Sequence, residues 1–210
     1  DQAVSRGLGD VYKRQILHIK KEGASWQLIK ESQWNRRIHG ATPIPLSHGQ
    51  KILGSQVAMG TLANCAGGRT PWGTILTSEE NYDTFYGEVR FSKGKRQFYS
   101  PKKHRHGWET HFPNPPEHYG WVVEVDPWTG RAEKQLLLGR APHEGATVVL
   151  TRSRKAVVYM GEDRPGGYIY KFVSNGYHLK SGELYAANTD RGEWMSLNWH
   201  KSPVLQKEFK

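Results

Sequence analysis

One thiol and two adjacent carboxylates are the side chains of this sequence best suited to chemistry. Cys65 is the only cysteine, and Glu79 and Glu80 follow it at about a hairpin's distance. Between them lie a glycine-rich turn with a Trp-Gly pair, Ala66-Gly67-Gly68-Arg69-Thr70-Pro71-Trp72-Gly73, and an apolar run, Thr74-Ile75-Leu76-Thr77. A turn that returns as a strand would bring a soft sulfur ligand and hard oxygen ligands together. The same residue types also occur with no chemistry attached, since cysteine is often a small buried side chain and paired glutamates often end a solvated strand.

Other candidates are less specific. His104, His106 and His111 could suggest zinc, but their spacing fits no standard ligand pattern and no second cysteine supports them. Arg36 and Arg37 beside Asn35 could grip an anion, although paired arginines more commonly serve as salt-bridge partners. The basic run Lys102-Lys103-His104-Arg105-His106, with Phe98, Tyr99 and Trp108 interleaved, could stack on nucleic acid. Blocks of like charge are usually solvated, so nucleic acid is not expected as a partner.

These residues must be positioned by short strands. Eight Trp, ten Tyr and 23 Gly against three Met favour a β-rich chain with tight turns. Ile16-Leu17-His18-Ile19-Lys20 turns at Glu22-Gly23 into Ser25-Trp26-Gln27-Leu28-Ile29, a hairpin signal. Residues 82–112 carry little apolar periodicity and read as an exposed insertion. Gly120-Trp121-Val122-Val123-Glu124-Val125 ends in Asp126-Pro127-Trp128-Thr129-Gly130, a tight turn, and Lys134-Gln135-Leu136-Leu137-Leu138 is expected to return antiparallel. His143-Glu144-Gly145-Ala146 then opens a run of strands at close spacing through Tyr159-Met160-Gly161-Glu162-Asp163 and Tyr168-Ile169-Tyr170-Lys171-Phe172.

The pattern predicts an all-β fold, a β-propeller or failing that a sandwich. At roughly 40–50 residues per blade, about three to four blades fit. Residues 1–15 have no apolar face to bury and read as an appended, non-native tail, leaving residues 16–210 as a partial propeller domain truncated at both ends. No apolar run approaches the roughly 18 residues of a membrane span. One cysteine excludes an internal disulfide. The formal charge of +10 would draw anionic ligands from a distance, or merely keep the chain soluble.

Taken in order, Asn35-Arg36-Arg37-Ile38, Asn64-Cys65-Ala66-Gly67-Gly68-Arg69-Thr70-Pro71-Trp72-Gly73-Thr74, Glu79-Glu80-Asn81, Gly120-Trp121-Val122-Val123-Glu124-Val125-Asp126-Pro127, His143-Glu144-Gly145-Ala146 and the two strands after it resemble the PhoX-type alkaline phosphatase family. The resemblance implies a six-bladed propeller, exported by the twin-arginine route to the periplasm or beyond. It also implies hydrolysis of phosphate esters with iron and calcium in the central channel. Matched residue by residue, it makes Cys65 the iron-ligating thiolate and Glu80 and Glu144 carboxylate ligands. The donor chemistry agrees: thiolate suits iron and not calcium, and carboxylate suits calcium and can bridge both. Glu79 should point away from Glu80, because strand side chains alternate.

Ser78 stands where many relatives carry a second cysteine, which need not matter if that thiol is no ligand. The family's later acidic and arginine residues have no counterpart here, so the chain is expected to hold part of the site and to be inactive alone, with a monomer favoured for the whole protein. Two other classes fit a propeller: a non-catalytic binding protein, and a calcium-dependent hydrolase of the lactonase type.

Overall fold

Alternating and continuous apolar runs become sixteen short strands in the computed structural model, which describes residues 13–99, 107–188 and 193–197. The first is β1 (Lys13–Ile16). The hairpin β2 (Ile19–Glu22) and β3 (Ser25–Leu28) follows it, turning at Gly23 with φ of 61°. β4 (Arg36–His39) then pairs antiparallel with β1, so the boundary expected at residue 16 falls inside a paired strand. β5 (Pro43–Pro45) and β6 (Val57–Met59) form another hairpin.

The sheet that carries Glu79 and Glu80 is built from β7 (Ile75–Ser78), β10 (Val122–Val125) and β11 (Ala132–Lys134), in the order β11-β10-β7. Residues 64–69 extend it beyond β7 through the bridges Asn64 to Glu79 and Arg69 to Ile75. Between β7 and β10 the chain forms the single-turn helix α1 (Tyr82–Phe85), the hairpin β8 (Glu88–Ser92) and β9 (Lys95–Tyr99), and the single-turn helix α2 (Trp108–His111). The second large sheet is an antiparallel meander of β12 (His143–Leu150), β13 (Ala156–Glu162), β14 (Ile169–Ser174), β15 (Gly182–Asn188) and β16 (Glu193–Ser196) in sequence order.

β10 explains how the sheets stack. Val122 packs with Leu76, Ala146, Val158, Met160 and Phe172, between β10 and the meander. Val123 and Val125 face the other way, against Ile38 and Ile44. The valines are covered on both faces, and the charged residue between them, Glu124, is taken up by Trp72, Thr74 and Gln135. Each fully buried aliphatic side chain here contributes about 1.5–3 kcal/mol. The all-β class therefore holds, and both large sheets have the up-and-down order expected of blades; among the described residues no sheet closes on itself.

Two expectations are corrected. Leu136-Leu137-Leu138 is a single 3-10 turn and not a strand; the return of the hairpin is the three residues before Gln135. The reason is the Asp126 turn, whose carboxylate accepts the Trp128 and Thr129 N–H groups and brings the chain back early. Residues 82–112 are also not uniformly exposed. Tyr82 and Tyr86 are buried with Leu62 and Tyr119, and the tyrosine hydroxyls are spent on Glu88 and on the carbonyls of Phe112 and Asn114. The β8–β9 hairpin itself is exposed along most of its length.

Candidate active site

Backbone pairing sets Cys65 beside Glu80. The Cys65 N–H donates to Ser78 O at 2.7 Å, and the Glu80 N–H donates to Ala63 O at 3.1 Å. Gly68 and Leu76 exchange a further pair of bonds at 3.2 and 2.7 Å. The glycines permit this approach: a Cβ on Gly67 would lie 1.8 Å from Leu76 O, a distance no side chain tolerates. Trp72 and Thr74 lock the hairpin tip, the indole N–H donating to Glu124 Oε1 at 2.6 Å and the Thr74 hydroxyl to the same oxygen at 2.5 Å. The Trp-Gly-Thr part of the motif is thus a staple to β10.

Glu144 arrives from the other sheet by an irregularity. Along β12, His143 pairs with Glu162 and Gly145 with Gly161, so Glu144 is the extra residue of a β-bulge. Bulges re-aim a side chain and are over-represented beside active sites. The start of β12 is fixed to β7 by the His143 N–H, which donates to Glu79 O at 2.9 Å. Just past β13 the Asp163 N–H donates to Pro142 O at 3.0 Å, placing Asp163 at the same end.

Four acidic groups interact there. The Cys65 thiol hydrogen-bonds the Glu80 carboxylate and feels the charges of Glu80 and Glu144. Glu80 in turn hydrogen-bonds Asp163 and feels Glu144. Burial pushes the Cys65 thiol up, and the two glutamates push it further, against the Ala66 N–H. Burial likewise raises Glu80, and its hydrogen bond to Asp163 raises it more, while the thiol lowers it. Each net shift opposes ionisation, and a cation among these groups would reverse it, because thiolate and carboxylate are what iron and calcium bind. The donor set therefore fits those metals in kind. Among the described residues, however, no three His, Cys, Asp or Glu side chains are gathered closely enough to hold one metal ion together.

Cys65, Glu80 and Glu144 thus lie within electrostatic reach of one another, and Asp163, to which the sequence pattern assigned no role, reaches Glu80. The signal was available: Glu162 and Asp163 are adjacent at a strand end, like Glu79 and Glu80, so they point different ways. Glu162 is used by Arg164 Nε at 3.1 Å and the Tyr170 hydroxyl at 2.7 Å.

Glu79 points away from the cluster. Its carboxylate is fully buried, accepting Leu62 N–H at 3.0 Å, Trp121 N–H at 3.0 Å and both contacts of Lys134 Nζ at 2.8 and 2.9 Å. The other candidates do not gather. Arg36 spends its guanidinium on the carbonyls of Gln33, Trp34 and Trp128, and Arg37 is exposed. His111 is exposed on α2, and His104 and His106, with the basic run around them, lie outside the described residues.

The cluster is a group of acidic side chains at the edge of two sheets, and comparisons with known proteins show the family to which the chain belongs. The family model described as alkaline phosphatase PhoX matches residues 13–208, and the chain belongs to that family. Among solved structures, Pseudomonas fluorescens PhoX in complex with vanadate, a transition state analogue, is similar at 32% identity with a TM-score of 0.72 over 87% of this chain. The chain spans 40% of the length of that protein. No curated protein matches it.

Proposed function

We propose that this chain carries part of the site of a metal-dependent phosphoric ester hydrolase, an alkaline phosphatase with iron and calcium. The single observation behind the reading is that backbone pairing brings the segments carrying Cys65, Glu80, Glu144 and Asp163 to one end of two sheets, where these acidic groups act on one another. Cys65 would hold iron, and the three carboxylates would hold calcium or bridge the two kinds of metal. When bound, such cations neutralise phosphate charge and supply an oxygen nucleophile opposite the leaving alkoxide.

The chain's own residues do positioning. The Gly67–Leu76 and Gly68–Ala146 close approaches fix the thiol segment against β7 and β12. The bulge turns Glu144 toward it, and the Pro142 carbonyl holds Asp163 in place. Positioning and charge stabilisation dominate phosphoryl transfer, so few groups need take part covalently. The net charge of +10 would raise the encounter rate with anionic esters. The vanadate bound by the similar Pseudomonas protein supports a phosphate-ester substrate, and family membership supports a propeller in which the two large sheets are neighbouring blades, acting in the periplasm or outside the cell. No described helix is long and apolar enough to cross a membrane.

The test is metal analysis with p-nitrophenyl phosphate hydrolysis on the protein carrying this chain at its full natural length. Iron and calcium should co-purify, and Cys65→Ala should lose both iron and activity. Full activity in Cys65→Ala, or hydrolysis that survives exhaustive chelation, would sink the reading in favour of a different hydrolase, and no hydrolysis at all would favour a non-catalytic propeller.

A further inference from the structure

The only fully buried ion pair in the described residues stands directly behind the acidic cluster. Glu79 is the neighbour of Glu80, and both groups of its residue are committed. Its carboxylate collects Leu62 N–H, Trp121 N–H and Lys134 Nζ, and thereby ties the chain before Cys65, the start of β10 and the end of β11 to one point. Its backbone N–H donates to Trp121 O at 3.1 Å, and its carbonyl accepts the His143 N–H, the bond that sets β12 one residue before Glu144. Lys134 is further held by His118 O and lies 5.1 Å from the centre of the Tyr119 ring.

A neutral pair of side chains would fill the same space, so burial alone does not explain two charges here. What the charges add is direction: besides each other, one carboxylate and one ammonium hold Leu62 N–H, Trp121 N–H, His118 O and the Tyr119 ring. We infer that Glu79 and Lys134 are positioning residues for the metal-binding carboxylates, setting the spacing between Glu80 on one sheet and Glu144 on the next. This rests on the phosphatase reading above. Neither residue is among the proposed ligands; each acts through the backbone on which Glu80 and Glu144 are mounted.

The experiment uses the full-length protein loaded with iron and calcium, and compares wild type, Lys134→Met and a stability control, Phe172→Leu. Phe172 is buried on β14, two strands away from β12. Three quantities are measured: the rate at which a chelator strips metal, kcat and KM for p-nitrophenyl phosphate, and thermal stability. Lys134→Met should lose metal about tenfold faster or more and lose kcat by a similar factor, as supporting groups behind ligands typically do, with KM little changed. Phe172→Leu should melt earlier yet keep its stripping rate and kcat. If Lys134→Met does not fold, the double variant Glu79→Gln with Lys134→Met, which removes both charges at nearly constant volume, takes its place with the same expectation. Stripping rates equal to wild type in the Lys134 variant, or raised equally in Phe172→Leu, overturn the inference and leave the phosphatase reading intact. A wild-type protein that takes up no metal overturns both.

Discussion

Gly68 lies so close to Ala146 that a Cβ added to it would stand 2.5 Å from the Ala146 carbonyl oxygen. This is where the thiol segment meets β12. Gly68→Ala should force the two sheets apart at the site, costing about 1–3 kcal/mol as overpacking typically does. Gly145→Ala is the contrast, because its Cβ would meet only the Ala66 Cβ at 3.6 Å, an ordinary contact. Denaturant unfolding of both variants checks the pair: the first should shift and the second should stay within about 0.5 kcal/mol.

Adjacent glutamates should fail in opposite ways. Glu79→Gln leaves Lys134 buried without its counter-charge and should cost about 3–5 kcal/mol of stability. Glu80→Gln removes a charge that burial and Asp163 disfavour, so it should fold as well as wild type in the absence of metal. On the proposed phosphatase reading, hydrolysis by the full-length protein carrying it should fall by more than the roughly 10–100-fold seen for groups behind a ligand. Melting temperature and kcat measured on the same two samples separate the outcomes.

Acid should unfold the chain partly through His118. Burial, reinforced by the charge of Lys134, pushes His118 down to about 4, from an ordinary value of 6.5. Its Nδ1 accepts the Met59 N–H at 3.3 Å and its Nε2 is buried without a partner. The unfolded chain therefore binds this proton at a higher pH than the folded one. Stability from keeping His118 neutral is complete above about pH 6.5 and is lost as pH falls toward 4. His118→Gln should flatten the stability profile in that window, as read from urea midpoints at stepped pH.

The turn at Asp126 should matter to folding and not to chemistry. Its Oδ1 accepts Trp128 N–H at 2.8 Å and its Oδ2 accepts the Thr129 hydroxyl at 2.7 Å. Asp126→Ala should cost about 1 kcal/mol, the usual net worth of such bonds, with kcat and metal content unchanged.

The sequence was legible where periodicity or residue chemistry is local. The β13 and β14 strands, the Asp126 turn and the alternation that separates Glu79 from Glu80 all follow from neighbours in the chain. The hidden parts depend on distant partners. Nothing near Lys134 says that it is buried, because the glutamate that neutralises it is 55 positions away. Tyr82 and Tyr86 look like surface residues in a charged stretch until Leu62 and Tyr119 close over them. Asp163 acquires its place from Pro142 and Glu80; the adjacent Glu162 marks it as one of two carboxylates at a strand end but does not name these partners.

The bulge at Glu144 has a consequence for how this segment can change. His143 and Ala146 are both buried, each at 1% exposure, although they are three positions apart and a regular strand would send them to opposite faces. The extra residue shifts the phase of the pleat between them. Removing it would leave His143 two positions before Ala146, still opposite Glu162 and on the same face of a regular strand. What would be lost is the unpaired position itself, the one that lets a charged side chain stand at the end of β12 without entering the ladder.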